Sequence, residues 1–107
     1  MYEELTVLEA ARAALGVTDT YYDMDIELAI EAAKIKMQLA GVSEACATDT
    51  GDPLVRVAII AFVKGTVGND NPDAERYLES FESMVTQMKL TRRYTQEVEH
   101  GEVAEDV

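Results

Sequence analysis

Pro53-Leu54-Val55-Arg56-Val57-Ala58-Ile59-Ile60-Ala61-Phe62-Val63 is the stretch that decides the fold. Asp52-Pro53 starts it as an N-cap followed by the first helical residue, a position where proline lacks only an N–H that has no intrahelical partner anyway. The run behind it reads as a helix that is apolar on every side. Arg56 is expected to mark its one wet face, yet at about 100° per residue Ile60 and Val63 fall within roughly 40° of it. Such a helix is either the centre of a bundle or covered by something else, and a chain of 107 residues has few elements with which to cover it. The sector of Arg56, Ile60 and Val63 is therefore expected to meet another subunit.

Punctuation on both sides supplies three more helices. Thr6-Val7-Leu8-Glu9 has the form of a capping box, Leu8, Ala11 and Leu15 recur at helical spacing, and Gly16 can close the segment in the left-handed conformation. After a polar turn with the Tyr21-Tyr22 pair, Asp23 is placed to cap a second helix that stops at Gly41. This helix carries two apolar rows, Ile26, Ile30, Ala33, Met37 and Ala40 in one and Met24, Leu28, Ala32, Ile35 and Leu39 in the other, with Glu27, Glu31, Lys34 and Gln38 on the remaining face. The two rows are expected to form one broad buried face.

Residues 42–51 show no periodicity and read as a surface loop carrying Cys46. Gly65 and Gly68 are expected to end the central helix, and Asn69-Asp70-Asn71-Pro72 is dense turn chemistry. A last helix from Pro72 or Asp73 places Ala74, Tyr77, Leu78, Phe81, Met84, Val85 and Met88 on one face. Met24, Met37, Met84 and Met88 read as core filling, as do Tyr77 and Phe81. Lys89, Arg92, Arg93 and Tyr94 follow, and two readings stand for them: a docking patch for an acidic partner, or cations favoured by the helix dipole. Residues 95–107 hold five acidic groups and no Lys or Arg, so they form a tail expected to stay disordered until it meets a partner. The fold class is all-α, a small four-helix bundle-like domain over residues 1–94 with a flexible acidic C-terminal tail over 95–107.

Composition narrows the function classes. The net charge of −12 with nine basic residues argues against gripping DNA or RNA, which needs clustered Lys and Arg to displace counterions. One cysteine excludes an intrachain disulfide. The N-terminus lacks the basic region of a signal peptide and no apolar run reaches bilayer length, so a soluble chain made in the cytoplasm is expected. Catalysis lacks its parts: His100, the sole histidine, falls in the tail, one Cys and one His cannot build a zinc site, the Asp and Asn residues near 49–52 and 69–73 lack EF-hand spacing, and Gly65-Thr66-Val67-Gly68 is no phosphate loop. No enzyme, cofactor or metal is expected.

The segments Asp52-Pro53-Leu54-Val55-Arg56-Val57-Ala58-Ile59-Ile60-Ala61-Phe62-Val63-Lys64 and Gly68-Asn69-Asp70-Asn71-Pro72-Asp73-Ala74-Glu75-Arg76-Tyr77, with Tyr94 beyond, resemble the head–tail connector family of long-tailed bacteriophages. The first half fits more loosely, through a short helix ending in Leu-Gly-Val, an acidic turn, and a helix ending at Gly41. The resemblance implies a head-completion or adaptor protein of the virion. Such a protein assembles as a homo-oligomeric ring of about a dozen copies under the portal protein, extends the DNA channel without binding DNA specifically, and offers a platform to the next connector, stopper or tail protein. On this reading Arg56, Ile60, Val63 and Lys64 form the subunit interface, Lys89, Arg92, Arg93 and Tyr94 dock portal or stopper, and no membrane is involved. The rival reading is a cytoplasmic helical protein-binding module that uses an apolar groove.

Overall fold

The computed structural model describes residues 5–68 and 71–95. Within them the chain is helical without strands: α1 (Val7–Leu15), α2 (Asp23–Ala40), α3 (Glu44–Ala47), α4 (Pro53–Thr66), α5 (Ala74–Lys89) and α6 (Arg92–Thr95). The four long helices are those expected. The short α3 and α6 are additions, and α6 carries the helical part to Thr95; the acidic tail beyond it and His100 lie outside the described residues.

Local chemistry explains most of the boundaries. The capping box of α1 forms as read, with Thr6 Oγ1 accepting from the Glu9 N–H and Glu9 Oε1 accepting from the Thr6 N–H, each at 3.0 Å. Gly16 closes the helix at φ 77°. At α2 the expectation is corrected: Tyr22 holds the N-cap position with no side-chain cap, and Asp23 is the first helical residue. Its carboxylate is taken instead by Arg12 of α1, whose Nε donates to Oδ1 at 2.8 Å while Nη2 donates to Oδ2. A two-pronged guanidinium pair outcompetes a single capping bond, and it holds the Asp23 carboxyl below its usual range. The supposed loop before α4 is partly helical because Ser43 Oγ accepts from the Cys46 N–H at 3.2 Å and starts α3.

α4 lies at the centre, touching α1, α2 and α5. Val55, Ile59 and Val63 are fully buried, together with Ile26 and Met37 of α2 and Met88 of α5. Phe62 and Phe81 meet with ring centroids 4.9 Å apart. Gly65 does not end α4; it lies inside the helix, where a β-carbon would come within 2.7 Å of Leu78 and 3.0 Å of the Ala74 carbonyl. Its role is to let α4 and α5 approach closely. Asn71 holds the same corner, donating from Nδ2 to the Lys64 carbonyl at 3.0 Å and accepting at Oδ1 from the Asp73 N–H at 2.9 Å.

Candidate functional site

Two of the three residues in the sector expected to face a neighbour, Arg56 and Val63, turn inward. Arg56 is 6% exposed and its Nε donates to the Thr50 carbonyl at 2.9 Å, so the guanidinium folds back over the preceding turn instead of marking a wet face. Val63 is 0% exposed, packed within the core. Neither has surface to offer another subunit. Apart from Thr66 at its C-terminal end, what α4 exposes is a strip about 70° further round the wheel: Pro53 and Val57 are exposed, and Ile60 and Lys64 are half-buried. The Lys64 ammonium sits 4.5 Å from the centre of the Tyr77 ring, a cation–π contact that steadies it at the end of the strip.

α2 overturns the second expectation. Only the row of Ile26, Ile30, Ala33 and Met37 is buried. The other row stands in solvent, with Met24 73%, Leu28 64%, Ile35 55% and Leu39 82% exposed. Met24 is thus no core residue, while Met37 and Met88 are. The reason was legible in the spacing: the outer row lies within about 80° on the wheel, and its centre is roughly 160° from that of the inner row. Two rows so opposed cannot face the same core. Ala32, half-buried in the middle of the outer row, leaves a dip between Leu28 and Ile35.

Grooves run beside this ridge. One of about 530 Å³ is lined by Leu28, Ala29 and Ala32 of α2 and by Phe62 and Thr66 of α4. A second, of about 240 Å³, lies between Leu39 and Ala40 of α2 and Phe81 and Val85 of α5. The polar residues around the ridge are acidic toward the N-terminal end, Asp25, Glu27 and Glu31, and basic toward the other, Lys34 and Lys36. Lys34 and Glu31 pair at 3.1 Å as their spacing suggests.

The proposed docking residues divide. Lys89 and Arg92 are exposed, next to the exposed Leu90. Tyr94 is buried, and its hydroxyl lies 3.2 and 3.3 Å from the two carboxylate oxygens of Asp52. Arg93 donates from Nη2 to Asp52 Oδ2 at 2.7 Å and lies 4.9 Å from the Tyr94 ring centre, although most of its side chain is exposed. Asp52 also caps α4, with Oδ1 accepting from the N–H groups of Leu54 and Val55 at 2.9 and 3.2 Å. One carboxylate therefore fixes both the start of α4 and the position of α6. Burial, with the nearby Asp52 charge, raises the Tyr94 phenol above its ordinary range. The Tyr94 carbonyl accepts from the Ser43 N–H at 2.8 Å, and Cys46 Sγ donates to the Arg93 carbonyl at 3.3 Å, which closes the corner against α3. Sequence reading named Asp52 as a cap; nothing in the spacing reveals a partner 42 residues away.

Among the described residues no group of three or more His, Cys, Asp or Glu side chains is placed to hold a metal ion, and no helix is long and apolar enough to cross a membrane. Residues 7–95 match the family model described as phage connector protein. The chain belongs to the phage connector family. No curated protein and no solved structure matches it at a significant level. A phage connector is a structural component of the virion at the head–tail interface and works through contacts with other head and tail proteins. The matched span covers every helix among the described residues, from Val7 of α1 to Thr95 of α6.

Proposed function

We propose that this connector assembles as a ring of about a dozen copies beneath the portal, where it extends the DNA channel and forms the platform for the next connector, stopper or tail protein. The observation that carries the reading is the outer row of α2, four large apolar side chains left in water by a domain whose own core is complete. A contiguous apolar ridge rimmed by charge marks a protein contact. Pro53, Val57, Ile60 and Lys64 on α4 give a second strip for contact between subunits, in place of the inward Arg56 and Val63. Lys89, Leu90, Arg92 and the outer part of Arg93 form a basic, partly apolar patch that docks an acidic surface of portal or stopper, while Tyr94 acts from within by holding α6 in place.

The net charge of −12 supports passage of DNA without adhesion, since acidic walls repel phosphate. Synthesis in the host cytoplasm and delivery to a filled head follow from this role. The test is direct: density at the portal vertex of purified particles resolves a ring built of this chain. Mature particles that lack the protein refute the proposal and favour a binding module acting elsewhere in the cell.

A further inference from the structure

We infer that the ring contact is head-to-tail, with the outer row of α2 in one copy lying antiparallel on the exposed strip of α4 in the next; this rests on the ring reading above. Both surfaces are on this chain, and they face opposite ways. Thr66 lines the groove beside α2, and Val57, nine residues earlier, points about 180° away from it on the α4 wheel. The outer row of α2 in turn faces away from the core that α4 occupies. A molecule with two different adhesive faces on opposite sides makes heterologous contacts, which close into a ring when the rotation between copies permits.

Spacing and charge specify the occupant as a second copy. Leu28, Ala32, Ile35 and Leu39 recur at i, i+4, i+7 and i+11, and so do Pro53, Val57, Ile60 and Lys64. Running one row against the other places Ile60 over the small Ala32, Val57 beside Ile35 and Pro53 beside Leu39, a ridge seated in a complementary row. The antiparallel direction also brings Lys64 to the acidic end of α2, at Asp25 and Glu27. Parallel packing would bring Lys64 to the basic end of α2, so charge selects the direction.

Cross-linking of the full chain tests the contact. In a Cys46→Ala background, Ile35→Cys and Val57→Cys are introduced together, both at exposed positions, and assembled particles are treated with a short bismaleimide. A ladder of dimers, trimers and higher species is expected from the double variant, and no cross-linked species from either single variant. Dimers from Ile35→Cys alone would mean that α2 pairs with α2 and overturn the proposal. A ring visible at the vertex but without a ladder, for this pair and for Leu39→Cys with Pro53→Cys, overturns the contact and spares the ring. Absence of the protein from the vertex overturns both.

Discussion

α4 and α2 invert each other. α4 is the more apolar helix, and its sequence suggests a cylinder in need of a partner; the fold covers it with α1, α2 and α5 and leaves a narrow strip and the terminal Thr66. α2 has charges in every turn, yet it leaves four large apolar side chains in solvent. The apolar content of a helix thus says how much cover it needs, whereas the number of its neighbours decides whether it is covered. Each exposed side chain of that size is worth about 1.5–3 kcal/mol on burial, and association costs roughly 4–15 kcal/mol. The proposed contact of one ridge on one strip is accordingly modest, and a ring would make it twice per subunit.

The comparison breaks most sharply at Val63. If α4 is interior to the subunit, Val63→Asp places an unpaired charge in the core and costs more than about 4 kcal/mol. Circular dichroism should show loss of the cooperative thermal transition in the isolated chain. A variant that stays folded but fails to assemble would return Val63 to the subunit interface and make the buried position wrong.

A smaller effect is expected at Gly65, where α4 meets α5. An added β-carbon falls 2.7 Å from Leu78 and 3.0 Å from a backbone carbonyl that cannot rotate away. Gly65→Ala should therefore lose about 2 kcal/mol by overpacking, despite the roughly 1 kcal/mol that alanine gains over glycine inside a helix. Chemical denaturation measures the difference. Equal or higher stability would mean that the two helices separate without penalty.

Much of this was legible because local chemistry decides it. The capping box at Thr6, the Asp52-Pro53 start and the Gly41 stop each act within a few residues, and the helices appear where they predict. Asp23 departed from its expected capping role because Arg12, on another helix, offered it a better bond. Gly65 was misread for the same reason, since its neighbour Leu78 is on α5. The candidate surface was half visible: Ile60 and Lys64 do border the exposed strip of α4, but the choice of Arg56 depended on assuming that a charge must face water. The wheel of α2 already contained two opposed rows, and only the count of neighbouring helices could tell which row lacked one.

Next in size is the corner that anchors α4. Tyr94→Phe removes one hydrogen bond from Asp52 but leaves Arg93 and two backbone N–H groups in place, so a loss of about 1 kcal/mol is expected. The pH dependence has a definite sign. Because the phenol is harder to ionise in the folded chain, its contribution is complete below about pH 10 and falls as pH rises through the raised native value. The gap in stability between wild type and Tyr94→Phe should narrow above pH 10. A gap that widens there would show that the ionised phenol is better accommodated than the neutral one.

The smallest effect on the subunit is the most informative about assembly. Ile35 and Leu39 already stand in water in the isolated chain, so Ile35→Asp with Leu39→Asp should move thermal stability by no more than about 1 kcal/mol, the scale of two surface substitutions. The same pair puts two carboxylates into the proposed seat against α4 of the next copy. There they meet Val57 and Pro53 and cannot be solvated, and incorporation at the portal vertex should be lost. Soluble, folded protein that no longer enters particles would separate the two helices cleanly, with α4 serving the subunit and α2 serving its neighbour. If the doubly charged variant instead unfolds, the outer row belongs to the core after all; if it assembles normally, α2 faces only solvent and the strip on α4 has some other partner.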